Sequence, residues 1–220
     1  MSLARARADG ASSGSMARAQ GGRPEILDRE TTRIGYVTVE RLRVRLADGA
    51  EVIREVESHG DAVAVLPYDP TRRHALIVRL FRAPAFDRFG EEALEEACAG
   101  MIEPSDREIG EGQPADEAGT VRREAMEELG LRLADLEFVA RVWSSPGVSA
   151  ERVALYLAPY QPSDRVGPGG GLAEEHETIT VIERPLVQLA ADADAGGIAD
   201  LKLFALVLAL RARRPELFAG

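Results

Sequence analysis

The sequence predicts a mixed α/β sandwich of the α+β type, and three observations carry that prediction. Element order comes first: strand-like runs open the chain, one capped helical stretch follows, then more strands, then helices. A doubly wound protein alternates strand and helix throughout, and this chain does not. The second observation is RREAMEELG, residues 122–130. There Glu124, Glu127 and Glu128 fall at i, i+3 and i+4, on one face of a helix that stops at a glycine. The third is size: 220 residues, 45% of them hydrophobic, fit one domain with an appendage.

Each element follows in turn. Residues 1–24 are mostly Ala, Arg, Gly and Ser with almost nothing to bury, which predicts a disordered tail; Met16 is a candidate alternative start. Residues 25–58 form an N-terminal strand segment. From Arg33, IGYVTVERLRVRLADGAEVIREVE alternates apolar and polar positions around Asp48-Gly49, the pattern of a hairpin. The main domain is expected over residues 59–214. It opens with the strands DAVAVLPYD and HALIVRLFR around a Pro-Tyr-Asp-Pro turn, and ALEEACAGMIE continues extended. PSDREIGEGQPAD is a polar loop punctuated by Gly and Pro. The helix runs from Asp116, its cap, to Leu129, with Gly130 at the C′ position. Gly119 inside it costs about 1 kcal/mol relative to alanine. LEFVARVW and RVALYLAPY are strands joined by SSPGVSAE. The glycine-rich PSDRVGPGGGLAEEHE predicts a flexible stretch leading to the strand TITVIE. A short helix near PLVQLAADA and a last one near ADLKLFALVLALRAR complete the chain, which shows no internal repeat.

Composition excludes several functions. A net charge of −10 argues against nucleic acid, whose phosphates are bound by basic patches. The longest apolar run, LFALVLAL at 203–210, falls well short of the roughly 20 residues that span a bilayer. The N-terminus has arginines but no apolar signal core. Cys98, the one cysteine, excludes an internal disulfide and suits a reducing cytoplasm. An acidic protein still binds a phosphate compound where a divalent metal supplies the positive charge.

The three glutamates are the chemical question. Like charges at this spacing repel by a few tenths of a kcal/mol per pair, and a solvated face would tolerate that. Three features argue for more. Arg123 stands four residues before Glu127, within pairing reach; Gly130-Leu131 ends the helix abruptly; and Gly100 follows a strand where a tight turn would bring a carbonyl near the helix. Here the chain resembles the Nudix hydrolases, whose signature is G-x5-E-x7-R-E-U-x-E-E-x-G-U with U aliphatic. The second half is intact over Arg123, Glu124, Ala125, Met126, Glu127, Glu128, Leu129, Gly130 and Leu131. The resemblance implies a Nudix α/β/α sandwich with a mixed sheet. It also implies Mg²⁺ or Mn²⁺ among the carboxylates, since hard oxygen ligands suit those ions. The first half departs: Gly100 to Arg123 is nine residues longer than in the signature, and Ala115 stands where a glutamate belongs. Glu111, Asp116 and Glu117 are candidate substitutes.

The resemblance covers roughly residues 30–212 and points to the ADP-ribose pyrophosphatase and nucleoside-diphosphate-sugar subgroup. It implies substrate contacts at Arg82 in DAVAVLPYDPTRRHALIVRLFRAPAF, and at Pro146, Gly147 and Glu151 in SSPGVSAER. It implies metal ligation by the Ala99 carbonyl, Glu124, Glu128 and Glu177, catalytic roles for Glu127 and Arg123, and Glu175 as general base. Glu174 is a near neighbour of that pair. The glycine run beside Glu175 and Glu177 suits a loop that closes over substrate. GPGGGL stands closer to UDP-sugar and GDP-mannose enzymes, whereas Pro146 and SPG point to ADP-ribose; the chain alone does not separate them. The implied reaction is Mg²⁺-dependent cleavage of a nucleoside diphosphate sugar into a nucleoside monophosphate and a sugar phosphate. The rival is a Nudix module that binds nucleotide without hydrolysing it, to which the substitution at Ala115 points. Related enzymes exchange an N-terminal strand segment between subunits, so residues 30–58 imply a homodimer.

Overall fold

The computed structural model describes residues 22–103, 116–171 and 178–219. It divides into two compact units, Met1–Val56 and Glu57–Gly220. The prediction for residues 1–24 lies mostly outside the described residues, as does most of that for the loop 103–116.

The first unit is a sheet in the order β1 (Glu25–Arg33), β2 (Thr38–Arg45), β3 (Glu51–Ser58), with the last two residues of β3 falling in the second unit. β1 begins well before Arg33, where the alternation starts. Its sequence, EILDRETTR, offers little apolar signal. Cross-strand ion pairs flank its backbone ladder with β2 instead: Arg29 with Glu40, Arg41 with Glu30, and Arg45 with Glu25 at 2.9 Å. Gly49, at φ 87°, makes the turn between β2 and β3 as Asp48-Gly49 predicts.

The second unit is a mixed sheet between two helical layers. Its strands are β4 (Ala62–Asp69), β5 (His74–Leu80), β6 (Leu94–Glu96), β7 (Cys98–Met101), β8 (Glu137–Trp143), β9 (Arg152–Pro159) and β10 (Thr180–Pro185). The order is β10-β5-β4-β9-β8, with β6 on β5 and β7 on β4. β4 and β9 run parallel; β10–β5, β4–β7 and β8–β9 are antiparallel. Period-2 alternation deals the side chains to two cores. Ala64, Leu66, Ile77 and Leu155 pack under α3 (Leu186–Ala195) and α4 (Leu201–Arg213). Val63, Val65, Leu76, Val78 and Ala154 pack under α2 (Glu117–Leu129). This is the α/β/α sandwich expected. Among the described residues no helix is long and apolar enough to cross a membrane.

Two local readings differ. HALIVRLFR does not stay extended: the chain leaves the sheet at Leu80 and turns into α1 (Ala83–Phe89), closed by Gly90 at φ 74°. Pro84 explains the turn, because it has no ladder N–H and its fixed φ suits a first helical turn. The run ALEEACAGMIE is also two strands rather than one. It breaks at Ala97, whose N–H donates to the Asp200 carboxylate at 3.2 Å.

Candidate active site

Helix α2 is built by its ends and its buried face. Asp116 caps it, accepting from the Gly119 N–H at 2.8 Å. The buried positions are Thr120, Val121, Glu124, Ala125, Glu128 and Leu129, so two glutamates lie on the packing face. Glu124 and Glu128 are only 9% and 6% exposed. Buried carboxylates need partners, and β7 provides them. The Ala99 N–H donates to Glu128 Oε2 at 3.2 Å. Glu124 lies flat against Gly100: a Cβ there would sit 1.9 Å from both its Cδ and its Oε1. Arg123 ties the group together. Its Nη1 meets Glu124 at 2.9 Å and Glu127 at 3.1 Å, and its Nη2 donates to the Met101 carbonyl at 3.2 Å. One guanidinium thus offsets part of the repulsion among three carboxylates and fastens the helix to the strand facing it.

The C-terminal end of α2 is held by the glycine run. Val166 and Gly167 both donate to the Gly130 carbonyl, Gly170 donates to the Glu128 carbonyl at 2.8 Å, and Gly171 to the Glu127 carbonyl at 3.1 Å. These bonds satisfy helix-end carbonyls that otherwise lack partners. The approach is too close for side chains. A Cβ on Gly130 would fall 2.2 Å from the Gly167 oxygen, and one on Gly169 would fall 2.3 Å from the Glu128 oxygen; both glycines also have positive φ. Gly167 and Gly169–Gly171 therefore pack on the helix that carries the glutamates, where the sequence suggested a flexible stretch. Glu174, Glu175 and Glu177 lie outside the described residues.

Arg82, at the N-cap of α1, makes a double contact with Glu96, Nε to Oε1 at 2.7 Å and Nη2 to Oε2 at 3.0 Å. Glu96 is buried and also receives Lys202 Nζ at 3.2 Å, and that ammonium reaches Asp200 at 2.8 Å. Burial alone would raise the Glu96 pKa, but Arg82 and Lys202 outweigh it and hold the carboxyl below its ordinary range. Asp200 caps α4 and bonds the Ala97 N–H, so one carboxylate links the last helix to the strand bearing Ala99 and Gly100. The sequence reading missed Glu96, Asp200 and Lys202. An aspartate just before the apolar run of α4 was a readable cap signal; its reach to Ala97 was not.

The turn 145–151 carries the remaining expected positions. Ser145 accepts from the Val148 and Ser149 N–H groups, leaving Pro146 and Gly147 exposed at the tip. Glu151 faces His59. Two candidates for the carboxylate missing at Ala115 are already engaged. Asp116 is the helix cap. Glu117 accepts from the Tyr156 hydroxyl at 3.0 Å and from Arg141 Nε at 3.1 Å, and burial and this contact push the tyrosine pKa up to about 12. Glu111 and Ala115 lie outside the described residues. Among those described, no three His, Cys, Asp or Glu side chains are grouped as a metal site. The donors that do converge, Glu124 and Glu128 beside the Ala99-Gly100 backbone, are hard oxygens of the kind Mg²⁺ and Mn²⁺ take.

A glutamate-bearing helix clamped onto a Gly-containing strand, inside a mixed-sheet sandwich, is the arrangement the resemblance implies. The NUDIX domain model matches residues 58–201, and the chain belongs to that family. It is 32% identical to the GDP-mannose pyrophosphatase of Cronobacter sakazakii over 161 residues, 73% of this chain and 78% of that one. It is 35% identical to the ADP-ribose pyrophosphatase of Escherichia coli strain K12 over 162 residues, 71% of this chain and 73% of that one. The crystal structure of an ADP compounds hydrolase superposes with a TM-score of 0.68 at 19% identity, covering 90% of this chain and 97% of that chain. At that identity the superposition speaks to the fold.

Proposed function

We propose that this protein hydrolyses the diphosphate bond of ADP-ribose or a related nucleoside diphosphate sugar, releasing a nucleoside monophosphate and a sugar phosphate. The observation that carries the reading is the pair of buried carboxylates, Glu124 and Glu128, seated against Gly100 and Ala99. Glu124 and Glu128, with the Ala99 carbonyl and Glu177, would hold Mg²⁺ or Mn²⁺, which neutralises diphosphate charge and lowers the pKa of water. Arg123 holds Glu124 and Glu127 in register. Arg82, fixed by Glu96, offers its guanidinium to a phosphate. Glu175 is assigned as the base that takes a proton from the attacking water while the anhydride P–O bond breaks. Pro146, Gly147 and Glu151 are assigned to the substrate. Relatives acting on ADP-ribose and on GDP-mannose match about equally well, so a panel of ADP-ribose, GDP-mannose and UDP-glucose decides the base and sugar.

The test is Glu128→Gln. Its metal-dependent rate should fall by about tenfold to a hundredfold or more, because loss of metal charge stabilisation costs several kcal/mol, while circular dichroism stays unchanged. Near-normal turnover at saturating Mg²⁺ would sink the assignment. A module that only binds nucleotide would show no turnover in the native protein.

The protein is further assigned to the cytoplasm and to a homodimer formed through residues 30–58. Among the described residues of the first unit, Leu42 is the only buried side chain, so this sheet has little core of its own. Light scattering at micromolar concentration should give twice the chain mass of 23.7 kDa. A monomeric mass refutes the exchange.

A further inference from the structure

His59 stands between two carboxylates. Its Nδ1 lies 2.9 Å from Glu57 Oε2 and its Nε2 lies 3.4 Å from Glu151 Oε1. All three side chains are about one-fifth exposed. Glu57 is fixed in turn. Its backbone N–H donates to the Val148 carbonyl, its carbonyl accepts from Ala150, and Ser149 hydrogen-bonds its carboxylate. The end of β3 is thereby stitched to the turn that carries Pro146, Gly147 and Glu151. Gly60, the next residue, brings the chain against Met101, the residue whose carbonyl Arg123 holds. The cluster is thus one residue from the contact with β7, the strand the carboxylate helix packs on, and contains none of the proposed metal ligands.

We propose that His59 is a positioning residue: as an imidazolium gripped by Glu57, it donates its second N–H to Glu151 and fixes that carboxylate for the substrate. The inference rests on the reading of Glu151 as a substrate contact. The reason is donor arithmetic. A carboxylate only accepts, and a neutral imidazole has one N–H, so neutral His59 satisfies one glutamate and turns a lone pair toward the other. The imidazolium satisfies both. The shorter contact, to Glu57, is the one retained when the proton leaves, and Glu151 is the one released. The charged groups around the ring are Glu57 on its own segment and Glu151 on the strand entry opposite; Asp61 and Arg152 stand next to them, paired with each other. Burial would lower the His59 pKa, but the Glu57 hydrogen bond and the two carboxylate charges outweigh it and raise it above 6.5. Its charge is thus present at low pH and lost as pH rises through that raised value.

The experiment pairs kinetics with a histidine titration. In the native protein, KM for the best substrate of the panel should rise by about threefold to tenfold across the His59 titration, the scale of ordering one side chain, with kcat following a different profile. In His59→Gln, whose amide donates at every pH, that rise should vanish while turnover persists. By NMR, the His59 ring should titrate above 6.5 and move down in both Glu57→Gln and Glu151→Gln. A KM rise that survives in His59→Gln overturns the proposal. So does a titration indifferent to Glu151→Gln, and if that variant nonetheless raises KM, the substrate role of Glu151 stands alone. A responsive titration with unchanged KM in Glu151→Gln removes the substrate role and the proposal with it. If His59→Gln does not fold, Glu57→Gln must shift the KM profile to lower pH, and an unmoved profile overturns the proposal equally.

Discussion

Gly100 shows how much can hang on a missing side chain. The residue is a strand position with ordinary φ, so no backbone strain demands glycine. What demands it is the Glu124 carboxylate filling the space a Cβ would take. Gly100→Ala should therefore leave secondary structure intact yet displace Glu124, raising the Mg²⁺ concentration needed for half-maximal rate and lowering turnover by about tenfold or more, in line with losing one metal contact. A Mg²⁺ titration of activity checks it, and an unchanged curve would mean that Glu124 is not a ligand. The spacing of Glu124, Glu127 and Glu128 was legible because 3.6-residue periodicity is a property of local sequence. That Glu124 lies flat on Gly100, and that Arg123 reaches Met101 as well as Glu127, was not, because those contacts cross more than twenty residues of chain. Cys98 belongs here too. Burial and the neighbouring Glu128 push its thiol pKa well up, so it should resist alkylation until the protein unfolds.

Helix α2 has two differently made ends. The N-terminal end is local: Asp116 and Gly119 lie within one turn, and sequence alone located the cap. The C-terminal end is tertiary, because Gly167, Gly170 and Gly171 come from beyond β9 to bond carbonyls at Glu127, Glu128 and Gly130. Two glycines with nearly equal φ separate conformational strain from contact. Gly90 (φ 74°) has open space around its missing Cβ, so Gly90→Ala should cost about 1 kcal/mol for the left-handed backbone. Gly169 (φ 70°) would drive a methyl into the Glu128 carbonyl, so Gly169→Ala should cost about 3 kcal/mol or more, as overpacking adds to strain. Thermal unfolding of the two variants measures the difference. Equal losses would show that the run does not clamp the helix. The same run read from composition as a flexible stretch, because Gly-rich sequence signals freedom until something packs on it.

At the scale of the molecule, titration gives the stability profile two slopes. Glu96, Glu57, Glu137 and Glu183 all have depressed pKa values. For Glu96, Glu57 and Glu137 burial opposes the shift and cationic or hydrogen-bonding partners win; for Glu183 the Arg72 hydrogen bond dominates. A depressed carboxylate stabilises the fold above its unfolded value near 4.5, and that contribution is lost as pH falls through the folded value. His59 acts oppositely, contributing at low pH and losing its contribution as pH rises past 6.5. Thermal unfolding should therefore show Tm falling steeply below about pH 4.5 and declining gently above neutrality. Replacing Glu96 with Gln should flatten the acid limb, since the buried group would no longer titrate. A limb unchanged in that variant would mean Glu96 is not among the groups that set it.

Sequence by itself determined the sandwich, the capped carboxylate helix, most strands and the family, because these rest on periodicity, cap chemistry and a motif whose fixed residues are adjacent in the chain. Only tertiary structure decided that Glu96 is shared by Arg82 and Lys202, that Asp200 joins α4 to the strand of Ala99, that Glu117 is occupied by Tyr156 and Arg141, and that His59 faces Glu151. Each of these is a polar contact between groups far apart in sequence. Hydrophobic patterning places an element in a layer, but it does not say which buried charge meets which partner; that depends on strand order and register, which bring the junction of β6 and β7 to the start of α4 and set Glu57 against the turn before β9.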